Sequence, residues 1–240
     1  MDERYDEVVA DPRQASVPQV WSSVTVVDGC AFGRLGLMAA LTTAALPAQV
    51  WATLDSEAFQ AVRQSAGGHC LVLRLPLPTA TGIAQLLALG DVPWATLQYR
   101  AVIVLSPYAP TAVRQVVDRL GVQCDLYVLS SRLTPRVLIE AVTALSDIPA
   151  APRRAVAYVL SDLERCALRG TLVAEPVYRL ARRREVSVKT IYAQRNMALK
   201  KLGVRSLAEL VKLWSPQGNV PGRLRSIRRR GESDVPRALG

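Results

Sequence analysis

Short apolar runs recur through the first half of the chain. Val24 to Val27 closes on Asp28-Gly29, and Gln49 to Thr53, Cys70 to Leu73, Ala101 to Leu105 and Leu126 to Leu129 follow it. These runs lack alternation and are rich in branched side chains, which predicts strands buried on both faces. Segments with helical spacing lie between them: Leu35 to Leu46, Ser56 to Gln64, Thr111 to Leu120 and Pro135 to Leu145. Val113, Val116, Val117 and Leu120 share one face of the third, and Val137, Leu138, Ala141, Val142 and Leu145 one face of the fourth. Strands alternating with helices predict an α/β, doubly wound, parallel five-stranded sheet. Past Pro149 and Pro152 the period turns helical throughout. Ser161 with Glu164 three residues on reads as a capping box, a second helix follows Pro176, and Ser187 caps a third that runs to about Leu202. Gly203 ends that helix at a left-handed position, and Leu207 to Trp214 gives a fourth. The chain thus divides into a flexible arm (1–22), the sheet domain (23–146), a linker (147–157), an all-α four-helix domain (158–215) and a tail (216–240).

Charge separates the two domains. The whole chain carries a formal +10, yet residues 1–150 sum to −3 and residues 151–240 to +13, with all four lysines at Lys189, Lys200, Lys201 and Lys212. A strongly basic unit joined to an acidic one points to a nucleic-acid reader coupled to a sensor or partner domain. Other chemistry is poorly supplied. The four cysteines, at 30, 70, 124 and 166, never approach metal-ligand spacing, and His69 is the only histidine, which argues against zinc sites and histidine-dependent triads. No phosphate loop or dinucleotide fingerprint is present, so no cofactor is expected. An enzyme is disfavoured because no carboxylate pair, histidine or nucleophile elbow stands at the strand ends. The longest nearly apolar stretch, Leu35 to Leu46, is too short to cross a bilayer, and the polar, acidic first twenty residues do not read as a signal peptide. A reducing cytoplasm, at the nucleoid, is the expected location.

The third helix of the basic domain has two stripes. Ile191, Gln194, Ala198 and Leu202 make one; Lys189, Tyr192, Ala193, Asn196 and Lys200 make the other. An exposed row with cations at both ends and hydrogen-bonding tips between them is what insertion into a DNA major groove needs. On the second helix Val177, Leu180 and Ala181 are expected inward and Arg179, Arg182, Arg183 and Arg184 outward. Trp21, Trp51 and Trp94 read as core or dimer contacts and His69 as a strand-edge residue. The tail, punctuated by Pro216, Gly218, Pro221 and Gly222 and bearing five arginines between Arg223 and Arg230, is expected to be disordered and to sample phosphates without reading bases.

Residues 158–215 resemble the LuxR-type helix-turn-helix domain over its whole length and without a gap. The likeness is carried by Leu160, Ser161, Glu164, Leu168, Leu180, Ala181, Ser187, Lys189-Thr190-Ile191, Lys201-Leu202-Gly203-Val204 and Leu210. In wording it is closest to the Rcs-type capsule regulators. Gly170, Ala174, Pro176 and Arg184 depart from the pattern, and all four fall outside the third helix. The resemblance implies that Tyr192, Ala193 and Asn196 read base edges, while Lys189, Thr190, Arg195 and Lys200 grip phosphates or neighbouring bases.

The order of elements in the first domain resembles the receiver domain of response regulators. There the strand ends carry an acidic pair, a phosphate-accepting Asp, a Ser or Thr and a Lys. In this sequence Asp28 matches one acid beside Gly29; Leu75, Leu77, Pro78 and Gly82 fix the register of the third strand and leave Arg74 at the acceptor position. Ser106 stands at the fourth strand and Ser130, or by a one-residue slip Ser131, where Lys would be. Aspartyl-phosphate chemistry needs a carboxylate nucleophile and magnesium, and Arg74 supplies neither. Its guanidinium is expected either beside Asp28, imitating a neutralised state, or in solvent. Together these features imply a transcription regulator that binds double-stranded DNA and carries a pseudo-receiver for dimerisation, as a homodimer or with a related response regulator. The alternative is a heterodimer subunit that redirects a related regulator with little DNA specificity of its own. An RNA-binding antiterminator would share the first domain, but the gapless helix-turn-helix spacing opposes it.

Overall fold

A computed structural model describes residues 21–52, 68–94, 96–97, 99–146 and 158–214. The helix expected at Ser56 to Gln64, the linker, the tail and all but the end of the arm lie outside the described residues.

The strands are β1 (Ser23–Val27), β2 (Ala48–Trp51), β3 (His69–Arg74), β4 (Tyr99–Ser106) and β5 (Asp125–Ser130), and they pair in parallel in the order β2-β1-β3-β4-β5. The three inner strands β1, β3 and β4 are buried because helices cover both faces, whereas the edge strands β2 and β5, expected to be buried as well, are only half-buried. On one face Val24, Val26, Cys70, Val72, Ile103 and Leu105 meet α1 (Ala31–Thr43) and α4 (Pro135–Ser146). On the other, Val27, Leu71, Leu73, Val102 and Val104 meet α2 (Thr79–Leu87) and α3 (Pro110–Val117). The fold is the expected doubly wound, receiver-like α/β sheet.

Several expectations need correction. Helix α1 starts four residues before Leu35 and ends at Thr43. Helix α2 has no counterpart among the expected elements: Pro78, just past the third apolar run, is its N-cap, and Ile83, Leu86 and Leu87 bury. Trp21, placed in the arm, is buried and its Nε1 donates to the Val142 carbonyl at 2.7 Å. His69 opens a central strand rather than edging one; it is 1% exposed, with Nδ1 2.9 Å from Ser23 Oγ.

The C-terminal unit contains α5 (Asp162–Leu172), α6 (Val177–Arg183), α7 (Val188–Lys201) and α8 (Leu207–Leu213). It packs against α2 and α3, and its apolar residues Leu168, Leu172, Ala198, Leu199, Leu202 and Trp214 join the core of that face of the sheet domain. The Trp214 and Tyr108 rings lie 5.1 Å apart, and Tyr108 fits because Gly82 has no side chain: a Cβ there would stand 2.9 Å from the tyrosine ring. Polar bonds cross the same seam. The Leu160 amide donates to the Arg119 carbonyl at 2.8 Å, Gln115 Nε2 to the Leu202 carbonyl at 2.6 Å, and Arg165 and Arg169 both pair with Asp91.

Candidate nucleic-acid interface

Ser187 starts α7 as expected: its Oγ accepts from the Thr190 amide at 3.0 Å and lies 2.8 Å from the Thr190 hydroxyl. Gly203, at φ +75°, closes the other end, where the Val204 amide returns to the Leu199 carbonyl. Between these ends Ile191, Ala198, Leu199 and Leu202 are buried, and Gln194 is half-buried. Lys189, Tyr192, Ala193, Asn196 and Lys200 are all exposed along the opposite side, joined by Met197, which the expected stripe does not include. Thr190 is half-buried and commits its hydroxyl to the cap. Arg195 is also half-buried: its guanidinium lies 4.9 Å from the Tyr192 ring centre and its Nη2 is 3.4 Å from Asn196 Oδ1. Tyr192, Arg195 and Asn196 therefore form one cluster on the helix surface, with cation–π attraction holding the arginine along the tyrosine.

The support beneath this helix explains the atypical residues. Gly170 lets α6 approach α5 closely, since a Cβ there would sit 2.9 Å from Leu180 Cδ2. Ala174 and Glu185 hold the turns on either side of α6 at φ +56° and +54°. For a residue with a Cβ that conformation costs about 1 to 2 kcal/mol, so the packing of Leu180, Ala181 and Ile191 must hold it. Arg184 does not face outward as expected; it is half-buried, with Nε 3.1 Å from Cys166 Sγ and Nη2 3.0 Å from Asp162. Lys201 turns inward, where Nζ donates to Glu164 Oε2 at 2.7 Å and to the Val159 carbonyl at 3.0 Å. The Glu164 carboxylate also accepts from the Ser161 amide at 2.7 Å and completes the capping box. Burial alone would raise the Glu164 pKa, but the bonds from Lys201 and Ser161 outweigh it and hold the carboxyl below its ordinary value.

At the carboxyl edge of the sheet, the residues in the receiver positions come together only in part. Asp28 is buried; its Oδ1 accepts from the Cys30 amide at 2.8 Å and its Oδ2 lies 3.4 Å from Arg74 Nη1. Gly33 makes this pair possible, because a Cβ there would fall 2.1 Å from Asp28 Oδ2 and 3.0 Å from Arg74 Nη1. Of the two places expected for the Arg74 guanidinium, beside Asp28 or in solvent, the structure takes the first. Arg34 adds a bond from Nη1 to the Asp28 carbonyl at 2.8 Å. Ser106 is buried and its Oγ accepts from the Tyr108 amide at 2.9 Å, while Ser130, exposed, accepts from the Arg132 amide at 3.2 Å. Among the described residues no group of three or more His, Cys, Asp or Glu side chains could hold a metal ion.

No family profile matches the chain, and no curated protein sequence does. Among solved structures it is similar to a complex of the two-component response regulator RcsB with DNA, at 20% identity over 81% of this chain and 99% of that one, with a TM-score of 0.50. RcsB from Salmonella enterica serovar Typhimurium bound to promoter rprA in the presence of a phosphomimetic is similar at 22% identity over 82% and 100%, with a TM-score of 0.48. Full-length FixJ from B. japonicum gives 18% identity over 81% and 96%, with a TM-score of 0.37. The first likeness is one of fold: a receiver-type α/β domain followed by a helical C-terminal domain.

Proposed function

We propose that this protein is a sequence-specific DNA-binding transcription regulator of the cytoplasm whose receiver-like domain works without phosphoryl transfer. The observation that carries the reading is the exposed row of Lys189, Tyr192, Ala193, Asn196 and Lys200 on a helix whose other side is anchored in an apolar core. A rigid helix with amide, phenol and ammonium tips on one open side has the chemistry to enter a major groove: Asn can bond adenine in two places, Ala can touch a thymine methyl, and lysines release counterions from phosphates. Packing of the C-terminal unit on α2 and α3 uses α5, the last turn of α7 and Trp214, and so leaves this row free.

On the sheet domain, the absence of a carboxylate at position 74 removes the nucleophile, and Asp28 already has a cation beside it. Dimerisation or partner binding is the function left to that domain. A single recognition helix spans only a few base pairs, so the reading requires two, from a homodimer or from a heterodimer with a related regulator, on half-sites about one DNA turn apart. Asn196→Ala or Tyr192→Ala is expected to cost about 1 to 3 kcal/mol on a cognate operator selected by footprinting, with little change on random DNA. Equal losses on both DNAs would refute base reading, and no binding by the purified chain alone would favour the heterodimer subunit.

A further inference from the structure

Between the carboxyl edge of the sheet and the flank of α5 and α6 lies a cavity of about 1050 Å³. Asp28, Arg74 and Arg132 line it from the sheet domain, and Arg169, Glu175 and Arg183 from the helical unit. We propose that this cavity binds a small amphipathic organic anion, an aromatic or alicyclic body carrying an acidic group, and that the ligand bridges the two domains.

Position argues first. In open α/β sheets ligands bind beyond the strand ends where the strand order reverses, and in the order β2-β1-β3-β4-β5 that point lies between β1 and β3, at Asp28 and Arg74. The size suits a ligand far larger than a phosphoryl group, at the upper end of the roughly 300 to 1,000 Å³ of small-molecule sites.

Charge argues next. Four arginines face two carboxylates across the cavity, and each carboxylate is already answered. Asp28 has Arg74 at 3.4 Å, and Glu175 holds Arg183 through two bonds of 2.7 and 3.0 Å. The partner of Arg169, Asp91, is not among the lining residues. With Asp91 counted against Arg169, four arginines still stand against three carboxylates, and in a concave, partly apolar site such a surplus attracts an anion. Arg74 meets Asp28 through a single long contact, with more than a third of its side chain exposed. A guanidinium carries five N–H donors, so it can serve Asp28 and an incoming acid together.

The remaining wall sets the class of ligand. Leu75 and Ala84 are buried in it, and Leu77 and Val173, at 67% and 54% exposure, border it. Inorganic phosphate would leave this apolar wall in water, whereas an apolar ring would cover it. Contact with both domains gives such a ligand a higher affinity for the packed arrangement than for separated domains, which is what a ligand needs to shift that equilibrium. None of this depends on whether α7 reads DNA.

The test uses the full chain and two probes of the same shape, 8-anilinonaphthalene-1-sulfonate and its uncharged counterpart N-phenyl-1-naphthylamine, followed by fluorescence titration and thermal melting. The sulfonate is expected to saturate at a single site and raise the melting temperature, with the uncharged probe at least about tenfold weaker, the worth of one charge-assisted contact. Arg74→Gln should weaken the sulfonate about tenfold and leave the uncharged probe unchanged. Thr81→Trp, on the exposed rim of α2, removes no charge and should block both probes. Equal affinity for the two probes, unsaturable binding, or sulfonate binding untouched by Thr81→Trp in a cooperatively melting protein would overturn the proposal.

Discussion

The carboxyl edge of the sheet and the outer side of α7 both set polar groups on an apolar frame, and they treat those groups in opposite ways. At the sheet edge the buried charge is answered from within. Asp28 is held by the Cys30 amide and Arg74, and Ser106 is spent on the Tyr108 amide. On α7, among the described residues, neither Lys189 nor Lys200 has a carboxylate within ion-pair distance. Even the lysine next to Lys200 shows the difference, since Lys201 is turned inward onto Glu164. A charge satisfied internally serves the fold, and a row of cations left open over a rigid support is available to an external anion. The contrast gives the carboxylate and hydroxyl of the sheet edge to the fold and leaves the cations of α7 open.

The largest expected effect tests whether the two regions share one frame. Trp214→Ala removes a 1% exposed ring that packs at a tilt against Tyr108 and should cost about 3 to 5 kcal/mol in denaturant unfolding. Small-angle scattering should then show the domains moving apart; an unchanged radius of gyration would mean the seam does not rest on this ring.

Next comes the inward lysine. Lys201→Met strands the Glu164 carboxylate and should cost about 2 kcal/mol at neutral pH, less than for a fully buried pair because Lys201 keeps a quarter of its side chain in water. Glu164 is held below its ordinary 4.5, so between that value and its folded value the unfolded state binds more protons and stability rises with pH. The contribution is whole above pH 4.5 and is lost as the pH falls through the folded value. Urea unfolding from pH 7 to pH 3 should show that loss in the natural protein and a flatter acid limb in Glu164→Gln.

Gly33→Ala then probes the sheet edge alone. Its methyl would displace Asp28 or Arg74, an overpacking cost of about 1 to 2 kcal/mol in thermal unfolding, with DNA affinity unchanged. A loss of DNA binding here would show that the edge and the helix are not separable. Smallest of all, Lys200→Ala should weaken all DNA sequences alike and reduce the slope of log affinity against log salt by about 1. A sequence-dependent loss would move Lys200 from phosphate contact to base reading.

Much of this was legible in the chain because the signals were local. Five short, largely apolar runs separated by helical segments read as strands, three of which the structure buries, and the Ser161 and Ser187 caps fix the helix starts in the C-terminal unit. What escaped depended on contacts between distant residues. Helix α2 hid behind two prolines and a small-residue first turn, Thr79-Ala80-Thr81-Gly82, with bulk only from Ile83 on. Arg184 reads as an outward cation because period alone cannot show that Cys166 lies beside it. The seam itself was invisible: Tyr108, Leu202 and Trp214 look like core residues of their own domains, and nothing local says that they share one core.

That seam bears on what can be cut from this protein. The composition change near residue 158 marks a boundary in the text of the chain, but not a self-sufficient cassette. The last turn of α7 borrows a cap for its Leu202 carbonyl from Gln115, and the Leu160 amide borrows an acceptor from Arg119. Excised, the helical unit would give both groups back to water and uncover one side of Trp214. Grafted onto a foreign α/β domain, it would need a host with a glutamine and a tyrosine in matching places before α7 was finished to the same length.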